Sequence, residues 1–256
     1  MTWTSLRIVR YRLVALLFLA CASASSSAVA ALRGVTEEMP PFNMTQNGEV
    51  TGMATEVVQA VLHQAALEAP LRSMPWARAY DLAQHNSNVL IYSIVRTPQR
   101  EPLFHWVGVI APTRWALFTL ARRPIELRSL EDARRYQVAT VKEDAGEQFL
   151  LAHHFALGVS LQSNTRYELN YEKLKQGHVD LWIANELNAR YIVRAAGDNP
   201  DDLISEALNL PELGGGDGMY LAVSLGTPIA TVERLRHALD TVRANGTYAA
   251  IARKWL

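Results

Sequence analysis

Residues 89–103 read VLIYSIVRTPQREPL. The apolar half of this segment is typical of a β-strand that is covered on both faces of its sheet. The strand run ends in Ser93, and the basic turn that follows carries Arg96 and Arg100. A small hydroxyl and an arginine at a strand end can hold the carboxylate of a small molecule, because a guanidinium offers two parallel donors. The segment therefore predicts a ligand-binding protein built on a sheet.

Length and composition limit the other possibilities. The 256 residues allow one large domain or two modest lobes. Lys plus Arg and Asp plus Glu balance at 25 each, so no basic excess favours a nucleic-acid partner. The seven histidines show no metal spacing, and no G-x-S-x-G, H-E-x-x-H or C-x-x-C motif occurs. We therefore expect no metal and no cofactor, and we interpret GGGDG at 214–218 as a loop or hinge.

The N-terminal segment has the features of a secretory signal peptide. Three arginines precede the apolar run LVALLFLA, and AVA follows at 28–30. The apolar run is shorter than the ~20 residues that a membrane-spanning helix needs. Cys21 is the only cysteine, and a lipid anchor there is the alternative, but Phe18 replaces the aliphatic residue that such a site normally has. We expect cleavage after residue 30 and a mature protein without disulfides.

Strand-like and helix-like segments alternate through the rest of the chain. The spacing of apolar residues predicts strands at 32–36, 89–94, 115–121, 136–141, 179–184 and 220–224. It predicts helices at 54–66, 76–82, 129–135, 144–157, 185–196, 231–245 and 247–256. This alternation favours parallel sheets of the α/β class.

Six segments, in this order, resemble the family 3 periplasmic solute-binding proteins of polar amino-acid uptake systems. They are EEMPPFNMTQNGEVTGMATEVVQAV, MPWARA, IVRTPQRE, VATVKEDAGEQFL, GHVDLWIANE and ANGTYAAIARKWL. The resemblance implies an α/β, two-lobed clamshell of the type II periplasmic-binding-protein fold with two hinge crossings, near 115–119 and 215–220. Lobe I would comprise residues 31–117 and 219–256, and lobe II residues 118–218.

The resemblance also implies a function. The protein would capture a small polar or anionic solute, such as an amino acid or related carboxylate, in the periplasm and deliver it to the permease of an ABC transporter. It would act as a monomer, without a cofactor and without catalysis. Two alternatives use the same scaffold. One is a sensory protein that reports ligand occupancy to a membrane receptor. The other is an enzyme resembling the cyclohexadienyl dehydratases, with Glu186 as a candidate acid.

Four candidate ligand contacts follow from the resemblance in the first lobe. Arg100, in the family's T-P-x-R turn, would bind the ligand carboxylate; the alternative is a surface pair with Glu101. Ser93 would add a polar contact, or it simply forms a turn. Trp76 would wall the ligand, or it is a core residue. Met39 stands where many relatives have a second aromatic residue, which predicts a less selective pocket.

Arg78 and Arg96 are not general features of the family. Together with Arg100 they could place three cations around one strand end, which would require a ligand with more negative charge than a simple amino acid. The alternative is that they point to solvent or pair with glutamates.

In the second lobe, the candidates are Asp144 and Asn185. Asp144 with Glu147 forms a capping-box pattern at a helix start, where backbone N–H groups could also face a carboxylate. Asn185 stands where amino-acid binders normally have an aspartate that pairs with the α-ammonium group. Because an amide carries no charge, either a neighbour such as Glu186 replaces it or the ligand lacks an α-ammonium group.

Overall fold

Two five-stranded sheets form the framework of the structure, a computed structural model that describes residues 31–213 and 218–256. The predicted signal peptide with Cys21, and residues 214–217 of the glycine-rich segment, lie outside the described residues. The strands are β1 (Arg33–Thr36), β2 (Met44–Gln46), β3 (Glu49–Thr51), β4 (Leu71–Ser73), β5 (Val89–Val95), β6 (Phe104–Ala111), β7 (Trp115–Leu120), β8 (Val138–Val141), β9 (Leu161–Asn164), β10 (Leu181–Asn185), β11 (Ile204–Asn209) and β12 (Met219–Ser224). The helices are α1 (Met53–Gln64), α2 (Trp76–His85), α3 (Ala145–Ala152), α4 (Tyr167–Gln176), α5 (Glu186–Ala195), α6 (Pro200–Leu203), α7 (Ile229–Ala244) and α8 (Thr247–Trp255).

The first sheet has the order β4-β1-β5-β12-β6, and the second has the order β11-β7-β10-β8-β9. We call each sheet with the helices packed on it a lobe: α1, α2, α7 and α8 belong to the first, and α3 to α6 to the second. β5 is buried at all seven positions, because it is the central strand of its sheet and is covered on both faces. None of the described helices is both long and apolar enough to cross a bilayer.

The sheets contain the parallel pairs that the alternation predicts, but each sheet also contains one reversed strand that was not expected. β12 runs antiparallel to β5 and β6, and β7 runs antiparallel to β10 and β11. Each reversed strand is the first one after the chain crosses from the other sheet. The chain therefore enters each sheet from the edge at which the parallel strands end, and its first strand must run in the opposite direction.

The first crossing comprises residues 112–114, between β6 and β7. The expected lobe boundary after residue 117 falls inside β7, all of which pairs with the second sheet; Trp115, for example, lies opposite Asn185. At this crossing, Arg114 forms ion pairs of 2.7 Å with both Glu186 and Glu206. The second crossing lies between β11 and β12 and includes the undescribed residues 214–217.

All six predicted strands are present, whereas some other elements differ from expectation. The helix predicted over 144–157 ends at Ala152. Two residues later, His154 adopts a positive φ of 65°, which is incompatible with a continued right-handed helix. The segment predicted as a helix at 129–135 forms a 3-10 helix over Glu131–Arg135. The sequence interpretation missed α4, because its buried face consists largely of tyrosine and asparagine and shows little apolar periodicity.

Candidate functional site

Among the described residues, four charged side chains are buried: Glu37, Arg100, Asp144 and Glu147. Glu37 follows β1, and Arg100 lies in the turn after β5, so both belong to the first lobe. Asp144 and Glu147 lie at the start of α3, after β8 of the second lobe. Ligand sites in α/β proteins form where parallel strands end. The buried charges therefore mark the junction between the lobes as the candidate site.

Arg100 bridges the two lobes. Its side chain is 1% exposed. Nη1 donates to the Val95 carbonyl of its own lobe at 3.2 Å. Nη2 donates to the Glu143 carbonyl at 3.0 Å, and Nε donates to Gln148 Oε1 at 3.0 Å, both in the second lobe. The alternative that Arg100 is a surface residue paired with Glu101 is therefore wrong.

Two aromatic rings flank this guanidinium. Its central carbon lies 5.4 Å from the Trp76 ring and 4.9 Å from the Tyr80 ring, within the range of cation–π attraction. The rings stack on each other with centroids 5.8 Å apart, and Trp76 Nε1 donates to the Glu143 carbonyl at 2.7 Å. Burial lowers the pKa of Arg100, while Tyr80 and Asp144 oppose this shift. Trp76 thus lies at the junction, and its indole contacts both lobes.

A single tyrosine hydroxyl lies between two buried carboxylates. Tyr167 Oη is 3.2 Å from Asp144 Oδ2 and 3.4 Å from Glu37 Oε1. Burial raises the pKa of Asp144 to about 7. Burial, with the charge of Asp144, also raises the pKa of Glu37 well above its usual value. Because a phenol has one proton, it cannot donate fully to both carboxylates at once.

The predicted cap of α3 is present. Asp144 Oδ1 accepts from the Glu147 backbone N–H at 2.6 Å. The Glu147 carboxylate accepts from the Glu143 N–H at 2.9 Å and from Thr140 Oγ1 at 2.7 Å. One Asp144 oxygen therefore caps the helix, and the other faces Tyr167 at the lobe junction.

Ser93 and Met39 support the first-lobe side of the junction. Ser93 is buried with a φ of +61°. It is the extra residue where the pairing of β5 with β12 shifts register. Its hydroxyl donates to Asn43 Oδ1, and Asn43 Nδ2 donates to the Glu37 carbonyl. Met39 is buried, and its N–H donates to the Asn43 carbonyl at 2.8 Å. These bonds hold the segment that carries Glu37.

Asn185 caps α5 and is tied to the first crossing. Its Oδ1 accepts from the N–H groups of Leu187 and Asn188 at 3.0 and 3.3 Å. Its Nδ2 donates to Thr113 Oγ1 at 3.1 Å. Glu186, the alternative partner for an ammonium group, pairs instead with Arg114.

The three arginines are not brought together. Arg78 is exposed on α2. Arg96 pairs with Glu101 through two hydrogen bonds of 2.6 Å and lies over the Trp106 ring at 5.4 Å. Of the three, Arg100 alone is buried. The other two match the alternative stated above, since Arg78 points to solvent and Arg96 pairs with a glutamate.

Glu37 and Tyr167 were not among the sequence candidates. Glu37 directly follows the first strand, and this position at a strand end could have identified it. Tyr167 lies in the helix α4 that the pattern missed, so no local signal pointed to it.

A small cavity lies at the lobe junction, and a larger groove lies elsewhere on the first lobe. A cavity of about 150 Å³ at the junction is lined by Glu37, Glu38, Ser73, Met74, Pro75, Trp76, Thr165 and Arg166. A larger groove of about 740 Å³ lies on the first lobe near α1 and β4, away from the buried charges, and we therefore do not assign the site to it. In the described ranges, no group of three or more His, Cys, Asp or Glu side chains is placed to hold a metal ion.

Comparison with solved structures shows the same fold. A histidine kinase sensor domain with similarity to periplasmic binding proteins matches with a TM-score of 0.76 and 18% identity, over 89% of this chain and 96% of that one. An ancestral arginine-binding protein bound to arginine matches with a TM-score of 0.75 and 20% identity, over 88% and 98%. The substrate-binding protein of an amino acid ABC transporter matches with a TM-score of 0.72 and 16% identity, over 88% and 98%. At these identities the likeness shows the two-lobed clamshell fold alone.

Comparison at the sequence level identifies the family. Among curated proteins, none matches the chain significantly. The family described as bacterial extracellular solute-binding proteins, family 3, matches residues 32–256, which is nearly all of the chain beyond the predicted signal peptide. The chain therefore belongs to the family 3 bacterial extracellular solute-binding proteins.

Proposed function

We propose that the protein is an exported solute-binding protein that captures an amino acid or a related carboxylate between its lobes. It delivers this solute to the permease of an ABC transporter, without catalysis. The observation that carries the proposal is the buried Arg100 guanidinium, whose donors reach both lobes. A planar guanidinium in a water-excluded site suits a carboxylate, because it offers parallel donors and stays charged.

Solute binding is coupled to lobe closure in this proposal. The acceptors that Arg100 meets on the second lobe, the Glu143 carbonyl and the Gln148 amide, are neutral. A solute carboxylate can replace these neutral acceptors, because it adds the attraction of opposite charges and offers two parallel acceptors to the guanidinium. A solute that contacts both lobes binds the closed arrangement better than an open one, and this differential affinity drives closure.

A sensory role is the second candidate. The similarity to a histidine kinase sensor domain supports it, because that protein uses the same fold. Both roles share the binding step and differ in the partner. The genes adjacent to this one distinguish them, since a permease supports transport and a kinase or cyclase supports sensing.

The binding step is tested with Arg100→Lys, which keeps the positive charge and removes the planar fork. We expect amino acids to raise the melting temperature of the wild type, because a ligand at 100 times its Kd stabilises by about 2.7 kcal/mol. Losing one charged hydrogen bond, about 1.5–3 kcal/mol, should weaken binding by roughly 10- to 150-fold. The measurement is a thermal shift with amino acids, dicarboxylates and polyamines, followed by calorimetry.

Arg78→Lys is the matched control, because it makes the same change at an exposed position on α2. Its affinity should equal that of the wild type. Unchanged affinity in Arg100→Lys, with the fold verified by circular dichroism, would reject Arg100 as the carboxylate-binding group.

A further inference from the structure

The buried charges at the lobe junction do not balance. Three of the four buried charged side chains in the described ranges are carboxylates, Glu37, Asp144 and Glu147, and one is the guanidinium of Arg100. A buried charge without a partner is strongly destabilising. The surplus of negative charge therefore favours a positive group or a proton at this junction, and it disfavours a solute with several negative charges.

The surplus is located at Glu37. One Asp144 oxygen accepts from the Glu147 N–H of α3. The other lies 3.2 Å from the Tyr167 hydroxyl, which is the shorter of the two distances from this hydroxyl to a carboxylate. Glu37 has the longer, 3.4 Å contact with the same phenol. If Tyr167 donates its one proton to Asp144, Glu37 faces a phenol oxygen that has no second proton to donate. Within the described part of the chain, neither carboxylate forms an ion pair.

Glu37 lines the junction cavity, which offers further contacts for a cation. Trp76 lines the same cavity, and the face of an indole attracts cations. Ser73 lines it as well, and its hydroxyl oxygen is buried without a hydrogen-bond partner in the structure. The cavity, with a volume of about 150 Å³, has room for the end group of a solute. Arg166 borders the cavity with an exposed side chain and forms no ion pair with Glu37.

We propose that this cavity is a subsite for the cationic end group of the solute, an ammonium or a guanidinium. The group binds to the Glu37 carboxylate, against the Trp76 indole and beside the Ser73 hydroxyl. This inference rests on the proposed function, because the carboxylate of the same solute binds to Arg100. Trp76 links the two positions, since its ring lies 5.4 Å from the central carbon of the Arg100 guanidinium and the residue lines the cavity. The solute is therefore a carboxylate with a distal cationic group, and amino acids with a charged side chain are the probes of this class.

Binding of such a cation exchanges it for a proton. The groups that act on Glu37 are Asp144, Tyr167, Arg100 and Glu168, and burial together with Asp144 keeps its pKa raised. A cation beside Glu37 favours the ionised carboxylate, so binding releases a proton. Affinity for a cationic solute should therefore rise with pH, by at most about tenfold per pH unit for one proton released.

The experiment compares two pairs of solutes that differ in the distal charge: L-arginine with L-citrulline, and L-lysine with L-norleucine. Calorimetry gives the affinities of the wild type, Glu37→Gln and the control Glu233→Gln, whose exposed carboxylate lies on α7. We expect the wild type and the control to prefer the cationic member of a pair by about 100-fold or more, as for a buried charge pair. Glu37→Gln should remove the preference and the pH dependence while citrulline affinity stays within about threefold.

The outcomes separate this inference from the proposed function. Equal affinity for the charged and neutral members in the wild type, or an unchanged preference in Glu37→Gln, overturns the cation subsite and leaves the Arg100 site standing. Arginine binding that survives Arg100→Lys and falls in Glu37→Gln supports the subsite and overturns the carboxylate role of Arg100. If none of the four solutes binds to the wild type, the cation subsite is rejected, and the proposed function is decided by the wider screen of amino acids, dicarboxylates and polyamines.

Discussion

At the scale of single residues, Ser93 shows how a local conformation supports the site. The left-handed backbone region disfavours side chains with a Cβ atom by roughly 1–2 kcal/mol, yet Ser93 occupies it at a φ of +61°. The bulge turns the hydroxyl onto Asn43, which holds the carbonyl of Glu37. The hydrogen bond and the backbone conformation therefore act on stability in opposite directions.

Two substitutions separate these effects. Ser93→Ala removes the hydrogen bond and keeps the unfavourable φ, so we expect it to lower the free energy of unfolding by about 1–3 kcal/mol. Ser93→Gly removes the same bond and relieves the backbone, so it should be about 1 kcal/mol more stable than Ser93→Ala. Urea unfolding followed by circular dichroism measures both. An alanine variant as stable as the glycine variant would show that the φ is not strained.

At the scale of elements, α5 and the first crossing form one hydrogen-bonded unit. Asn185 accepts from two N–H groups of α5 and donates to Thr113 in the crossing. Arg114 adds ion pairs to Glu186 and Glu206 on both sides. The asparagine at the position of the family's aspartate thus serves the helix start and the hinge.

We expect Asn185→Ala to lower the free energy of unfolding by about 1 kcal/mol, the usual effect of losing an N-cap. Asn185→Asp should keep the cap, because aspartate caps as well as asparagine does. The new carboxylate should leave amino-acid affinity within about threefold, because both backbone donors of α5 occupy the side-chain oxygen. Urea unfolding and calorimetry check these expectations. A gain of tenfold or more in affinity for Asn185→Asp would return residue 185 to the ligand site.

At the scale of the whole molecule, the junction links stability to pH. Glu37 and Asp144 have raised pKa values in the folded protein, that of Asp144 reaching about 7, whereas carboxylates of unfolded chains titrate near pH 4. The folded state therefore binds more protons than the unfolded state above about pH 4. The stability that these protons provide is complete below this pH and is lost as the pH rises through the folded pKa values.

The free energy of unfolding of the wild type should therefore fall between pH 5 and pH 8. Each group contributes a slope of at most about 1.4 kcal/mol per pH unit. Glu37→Gln removes one group and lowers the repulsion on Asp144, so its slope should be smaller. Urea unfolding at four pH values measures both slopes, with Glu233→Gln as the control. Equal slopes in all three proteins would contradict the account of the buried carboxylates.

The predictability of the fold followed the strength of the local pattern. The strands β5 and β12 and the helices α1, α7 and α8 have regular apolar spacing, and all were expected. The reversed directions of β7 and β12 were not expected, because the direction of a strand depends on how the chain enters its sheet. The helix α4 was missed for a different reason, since its inward-facing residues include Tyr167, Asn170 and Tyr171, which show little apolar periodicity.

By itself, the sequence determined the α/β class, the family, the cap at Asp144 and the importance of the turn that carries Arg100, since each depends on residues close together in the chain. The tertiary structure decided which charges share the lobe junction. It left Arg78 and Arg96 at the surface and brought Glu37, Asp144 and Tyr167 together from both lobes. Electrostatic balance depends on distances between strand ends that are remote in sequence, and these distances exist only after the two sheets have packed.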